Sequence, residues 1–190
     1  MILASQSPRR IELMREAGYD IRVIPADIDE TPLPDETPLA LVERLARAKA
    51  QAVAALPGNA GETVLAADTI VALDGVLLGK PADDAEAKRM LRRLSGRTHQ
   101  VATGVCIARG AERRSFVDVT DVTFFELTDA QIDAYVASGE PRDKAGAYGI
   151  QGAGGRLLVE RIAGDFYNVV GLPIAKVVRA LDSPSSLSTA

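Results

Sequence analysis

The sequence predicts an α/β fold, and three observations carry that expectation. The apolar run Met1-Ile2-Leu3-Ala4 stops at Ser5-Gln6-Ser7-Pro8 and passes into a helical pattern at Arg9-Arg10, which is a strand feeding a helix. A second strand, Val64 to Leu73, reaches the hairpin signal Asp74-Gly75 and returns through Val76-Leu77-Leu78. Further along, Thr98 to Arg109 alternates as a long strand, with Ser115 to Phe125 as its partner.

Taken in order, the first helix runs from Arg9 to Ala17, with Ser7 as N-cap, Pro8 at the first helical position and Gly18 as the stop. A strand over Ile21–Ile24 follows. The segment Pro25 to Pro38, rich in proline and carboxylates, reads as an irregular acidic loop carrying Asp27, Asp29 and Glu30. Thr37 caps a long helix whose apolar stripe is Val42, Leu45, Ala46, Val53 and Leu56. Asp83 and Glu86 make a capping-box-like start to a helix ending near Leu94, and Thr128 with Gln131 opens another that ends at Gly139. The Ser115–Phe125 strand changes phase between Val119 and Val122, which predicts a bulge or strong bend near Asp121. Glu140 to Gly155 is irregular and glycine-rich, Leu157–Ile162 is a strand, and Pro173–Leu181 a helix. One domain is expected over residues 1–182, with the Ser-rich end, 183–190, as a frayed tail.

Composition narrows the function. The chain has 190 residues and is 47% hydrophobic, enough to bury a core. Its 26 carboxylates against 22 Lys and Arg give no global field for nucleic acid or an anionic membrane, so any anion site must be local. A single cysteine, Cys106, excludes an intramolecular disulfide, and a single histidine, His99, excludes a histidine-rich metal centre; hard, oxygen-ligated metals stay open. No signal-like or membrane-spanning run is visible, and a cytoplasmic setting is expected.

The chemistry should lie with polar residues that interrupt their own apolar patterns: Arg9, Arg10, Lys49, Asp68, Thr69, Lys80, Lys144 and Gln151. A helix N-terminus following Ser7-Pro8 attracts anions, and two guanidiniums there suit a polyphosphate. Asp68 sits between Ala67 and Thr69-Ile70-Val71, where burying a carboxylate is costly without a partner or a task. Lys49 falls inside an apolar helical stripe and reads equally as a snorkelling cation or a site residue. A cleft holding both signs of charge suits metal-assisted phosphate hydrolysis, with Asp68 and Glu30 holding a Mg²⁺-type ion or orienting its water. His99 reads as structural rather than as a general base.

Leu3-Ala4-Ser5-Gln6-Ser7-Pro8-Arg9-Arg10, Ala67-Asp68-Thr69, Gly79-Lys80-Pro81, Leu94-Ser95-Gly96, Asp143-Lys144-Ala145-Gly146-Ala147-Tyr148-Gly149-Ile150-Gln151-Gly152 and Gly171-Leu172-Pro173 together resemble the Maf family. Several separated motifs in the same order are far more specific than any one of them. The resemblance implies a Maf/Ham1 (ITPase-like) fold: a mixed, strongly twisted sheet flanked by helices, with a cleft between two lobes. It also implies a homodimer, a divalent metal cation (Mg²⁺ or Mn²⁺), a nucleoside triphosphate as substrate, and pyrophosphatase activity with a house-cleaning role linked to septum formation. On the matching positions, Asp68 is implied as catalytic proton acceptor. Arg9, Thr69 and Gln151 are implied in base selection, Ser7, Arg10, Lys49, Lys80 and Lys144 in phosphate handling, and Glu30 on the metal side. The form of the Asp143–Gly152 motif is similar to the branch acting on dTTP and UTP rather than 7-methyl-GTP. Gln151, with one amide acceptor and two donors, could pair with the edge that thymine and uracil share. Two rivals are a purine-directed pyrophosphatase and a non-catalytic nucleotide-binding regulator of cell division.

Overall fold

The computed structural model describes residues 1–183; residues 184–190, which carry most of the expected Ser-rich tail, lie outside the described residues. Strand β1 (Ile2–Leu3) feeds helix α1 (Pro8–Glu16), which returns the chain to β2 (Arg22–Val23), and helix α2 (Pro38–Ala54) carries it over to β3 (Thr63–Leu73). Both β2 and β3 lie parallel to β1, with Ile2 opposite Arg22 on one side and Val64 on the other. From β3 onwards the sheet is antiparallel. The hairpin strand β4 (Val76–Leu78) folds back on the far end of β3, while β5 (Thr98–Arg109), β6 (Glu112–Phe124) and β7 (Val159–Ala163) extend the sheet. The result is a mixed sheet of seven strands in the order β2-β1-β3-β5-β6-β7, with β4 paired to β3 off that path.

Helices α1 to α4 start where the sequence says they should. Pro8 occupies the first turn of α1, and Gly18, at φ +87°, ends it in a conformation that a β-carbon disfavours. Thr37 Oγ1 accepts the Ala40 amide of α2, and Asp83 accepts the Glu86 amide of α3 (Asp84–Leu94). Helix α4 (Asp129–Ala137) begins with a full capping box between Thr128 and Gln131. Helices α5 (Phe166–Val170) and α6 (Ile174–Asp182) are the last two among the described residues. Among the described residues, no helix is long and apolar enough to cross a membrane.

Alternation along β3 sorts the core into two layers. Val64 and Ala66 face α2, where they pack with Ile2, Ala46, Ala50, Val53 and Cys106. Leu65 and Ala67 face the other side, against Leu13, Met14, Leu91, Phe124 and Leu172.

Two expectations differ from the structure, and one short helix was not expected. No bulge sits near Asp121: the pairing of β5 with β6 is unbroken, Gln100 standing opposite Asp121, and the irregularity falls at Thr123–Phe124 against β7. The apparent phase change arises because Asp118 and Thr120 take inward positions in line with Val122 and Phe124, so polar residues stand where an apolar pattern is expected. Asp118 is paired there with Lys176 of α6, and Thr120 with Asn168 and the backbone of Asp165. The last strand starts at Val159 rather than Leu157, since Gly155–Leu157 form a 3-10 turn, and the short helix α5 had no counterpart in the sequence reading.

Candidate active site

The cleft opens where one edge of β3 loses its neighbour. Strand β1 pairs only with Val64 and Leu65, and β4 only with Val71 to Leu73, so the residues between them have a partner on the β5 side alone. Chain leaving β1 turns into α1 at this gap. The opening measures about 960 Å³ and is bordered by Ser5–Arg10, Glu30, α2, the middle of β3, Gly79-Lys80 and the segments Asp143–Gly152 and Val169–Gly171.

Asp68 and Thr69, neighbours on a strand, point to opposite faces. Asp68 shares the face of Val64 and Ala66, towards α2, and its Oδ1 lies 2.6 Å from Lys49 Nζ. The same ammonium lies 2.7 Å from Glu30 Oε1, supplied by the acidic loop. Both Lys49 and Asp68 are largely buried, with side chains 12% and 13% exposed. That pairing depends on a close approach: Gly104, opposite Asp68 on β5, faces α2, and a β-carbon there would lie 2.3 Å from the carbonyl oxygen of Val42. The loop bearing Glu30 is held to α2 by a two-pronged contact, Arg44 Nε to Glu36 Oε1 at 2.6 Å and Nη2 to Oε2 at 2.8 Å. This ion pair pulls the Glu36 carboxyl down to about 2.

Thr69 serves the other face. Its hydroxyl meets Arg10 Nη2 at 2.9 Å and Thr103 Oγ1, its partner on β5, also at 2.9 Å. Arg10 further donates Nε to the Gly171 carbonyl at 2.8 Å and Nη1 to Ser5 Oγ at 3.2 Å. Three of the five guanidinium donors are therefore used in fixing the side chain, and two are left for a ligand. Desolvation, joined by the Arg9 charge, pulls the Arg10 pKa below its usual value, and the Asp68 and Glu30 carboxylates oppose this only in part. Asn168 anchors this arrangement from behind. Fully buried, its side-chain amide donates to the Val101 carbonyl and to Thr120, while its backbone carbonyl accepts from Thr103.

The glycine-rich segment closes the cleft. Lys144 Nζ rests 2.7 Å from the Glu140 carbonyl and 2.6 Å from Asp143 Oδ1. Tyr148 is buried and bonded to His99 Nε2 at 2.8 Å, and both rings stack edge-on with Phe124. This is the structural role expected for His99. Gln151 stands exposed at the cleft rim.

All ten candidate residues from the sequence border this one cleft. Ser7 differs in detail: it occupies the N-cap of α1, but its side chain caps no helix amide, and its own amide donates to Ser5 Oγ at 3.2 Å. The first-turn amides of Arg9 and Arg10 are thus left without a side-chain cap. For Lys49 the open alternative resolves towards an ion pair rather than snorkelling. Among the described residues there is no group of three or more His, Cys, Asp or Glu able to hold a metal by themselves; Asp68 and Glu30 meet only through Lys49. Sequence reasoning missed Ser5, Thr103, Glu140 and Asn168. Thr103 had a signal, a hydroxyl in an otherwise apolar strand run; Asn168 had none, because its role depends on α5 docking against the sheet.

A mixed α/β sheet whose open strand edge gathers carboxylates on one face and guanidinium and ammonium groups around the rim defines a class: an α/β protein with a cleft suited to phosphorylated ligands. The chain belongs to the Maf family, whose model, described as "Maf-like protein", matches residues 1–183. It is 51% identical over 181 residues to a protein of Bacillus cereus (strain AH820), covering 95% of this chain and 93% of that one. It is 52% identical over 185 residues to one of Anaeromyxobacter dehalogenans (strain 2CP-C), covering 95% and 92%. Both relatives bear the name dTTP/UTP pyrophosphatase.

Proposed function

We propose that this protein is a nucleoside triphosphate pyrophosphatase that hydrolyses dTTP and UTP to the nucleoside monophosphate and pyrophosphate. One observation carries the reading: Asp68 shares a single cleft with Arg9, Arg10, Lys80 and Lys144, so a general base and a phosphate-binding set face the same space. The relatives' names, over 95% of the chain, support it.

In this mechanism the cations bind the triphosphate. Arg10, braced by Gly171, Thr69 and Ser5, offers its two remaining donors to phosphate oxygens in a fixed orientation, and the α1 amides add to the same pull. Asp68 accepts the proton of the water that attacks the α-phosphorus, and pyrophosphate leaves carrying the electrons of the broken anhydride bond. Lys49 holds the Asp68 carboxylate in place and stabilises charge that builds nearby. Gln151 pairs with the N3–H and O4 edge common to thymine and uracil, and Arg9 and Thr69, which border the same cleft, are the other residues the family resemblance implies in base selection.

The donor set fits a Mg²⁺- or Mn²⁺-type ion, which needs only one or two carboxylates when the substrate's phosphates supply the rest. Asp68 and Glu30 would hold it, since each uses one oxygen on Lys49 and has a second oxygen to offer. Such an ion, when bound, acidifies a water and neutralises phosphate charge. A cytoplasmic homodimer is the setting the family resemblance implies.

A panel of dTTP, UTP, 7-methyl-GTP and ITP with products identified tests the reading. Preferred release of pyrophosphate from dTTP and UTP is expected. Preference for a purine would replace it with the purine-directed alternative, and binding without turnover would replace it with a nucleotide-binding regulator.

A further inference from the structure

Gln151 stands on a short backbone turn that is pinned at both ends by residues outside it. At one end the Gly149 amide donates to Tyr135 Oη at 3.2 Å. At the other, two successive amides converge on one carboxylate: Gly154 N lies 3.1 Å from Glu140 Oε1, and Gly155 N lies 3.2 Å from Oε2. The turn itself closes through Gly152 N to the Gly149 carbonyl at 2.9 Å. Glycine is required where the carboxylate lies: a β-carbon at Gly152 would sit 2.1 Å from Glu140 Oε2, and one at Gly154 would sit 2.6 Å from Tyr135 Cδ2. Charge-assisted bonds of this type are about twice as strong as neutral ones, and the two amides hold the Glu140 carboxyl below its usual range, so the anion persists at neutral pH.

We propose that Glu140 is a positioning residue for base selectivity, its carboxylate fixing the turn that presents Gln151 while the grip on phosphate is left to other groups. The separation is built into one residue. Glu140 hydrogen-bonds the Gln151 turn through its side chain and Lys144 through its backbone carbonyl, so a substitution at this position removes the first hydrogen bonds and keeps the second, losing on the Lys144 side only a longer-range charge attraction. The proposal rests on the reading of Gln151 as the group that recognises the pyrimidine edge.

The test compares UTP with ITP, which share a ribose and a triphosphate and differ only in base, and adds inhibition by inorganic tripolyphosphate, which has no base. In Glu140→Ala the ratio of kcat/KM for UTP over ITP should fall about tenfold, the worth of roughly one such hydrogen bond, and the inhibition constant of tripolyphosphate should stay within about twofold of wild type. Glu140→Gln, which keeps an acceptor oxygen, should lose less. Gly152→Ala, which crowds the carboxylate from the other side, should reproduce the loss of selectivity in a protein that retains Glu140. Unchanged selectivity in Glu140→Ala and Gly152→Ala overturns the proposal, as does a parallel weakening of tripolyphosphate inhibition, which would mark a general collapse of the cleft. A wild-type enzyme with no preference for UTP over ITP would instead overturn the pyrimidine reading, and this proposal with it.

Discussion

The Lys49 ammonium lies 2.6 Å from Asp68 Oδ1, joining α2 to the middle of β3 at the point where β3 has no partner on its open edge. It also reaches Glu30 at 2.7 Å, so one cation holds two carboxylates that come from a strand and a loop. Two largely buried charges this close satisfy each other's desolvation only as a pair, and removing either leaves the other exposed to the full cost.

Asp68→Asn keeps an oxygen for Lys49 but cannot accept a proton. Turnover of dTTP should fall by roughly 10²- to 10⁴-fold, the usual worth of a general base, with the far-ultraviolet circular dichroism unchanged. Normal pyrophosphate release from the purified variant would remove Asp68 from the mechanism.

Lys49→Gln withdraws the cation that occupies both carboxylates. Turnover should fall, yet Mn²⁺ should bind the nucleotide-free protein more tightly, because the ion no longer competes with an ammonium and two bare carboxylates repel. Titration calorimetry with Mn²⁺ reads this directly, and weaker binding in the variant would remove Asp68 and Glu30 as the ion's ligands.

Gly104→Ala tests the spacing between sheet and helix. The added methyl meets the α2 backbone at Val42 and Glu43, so α2 must move and carry Lys49 with it. Overpacking of this kind costs about 1–3 kcal/mol. Both a lower melting temperature and reduced turnover are expected, with the loss of activity exceeding that in a surface variant of equal stability.

His99 predicts an acid weakness. Burial pulls its pKa from the ordinary 6.5 to about 4, and its Nδ1 has no hydrogen-bond partner among the described residues. The unfolded chain therefore takes up a proton more readily than the folded one. Stability should decline as pH falls from about 6.5 towards 4, by up to about 3 kcal/mol, and the decline should level off below 4, where both states are protonated. Urea unfolding at pH 7, 5.5 and 4.5 should show a shallower decline for His99→Gln than for wild type.

Much of this molecule was legible in its sequence because the signals are local. Caps at Thr37, Asp83 and Thr128 and the Asp74-Gly75 turn each bind residues within a few positions of one another, whereas Thr98–Arg109 is a strand as expected but is buried on both faces from Val101 to Ala108 rather than alternating. The reading failed where a distant partner changes the meaning of a residue. Asp118 and Thr120 look out of phase until Lys176 and Asn168 are brought to them, and the short helix Phe166–Val170 carries a buried Asn168 whose partners lie far away in sequence on β5 and β6.

The candidate site divides along the same line. A carboxylate amid apolar strand residues at Asp68, arginines after Ser7-Pro8 and glycines around Gln151 are properties of the chain alone, since each breaks its own neighbourhood's pattern. Which cation faces which anion is not such a property. Sheet register sets Thr69 beside Thr103 and Asp68 opposite Gly104, and the bare Gly104 admits α2 closely enough for Lys49 to span Asp68 and Glu30. Those pairings join residues far apart in sequence, and Coulomb and hydrogen-bond energies depend on distances that only the packed sheet and helices determine.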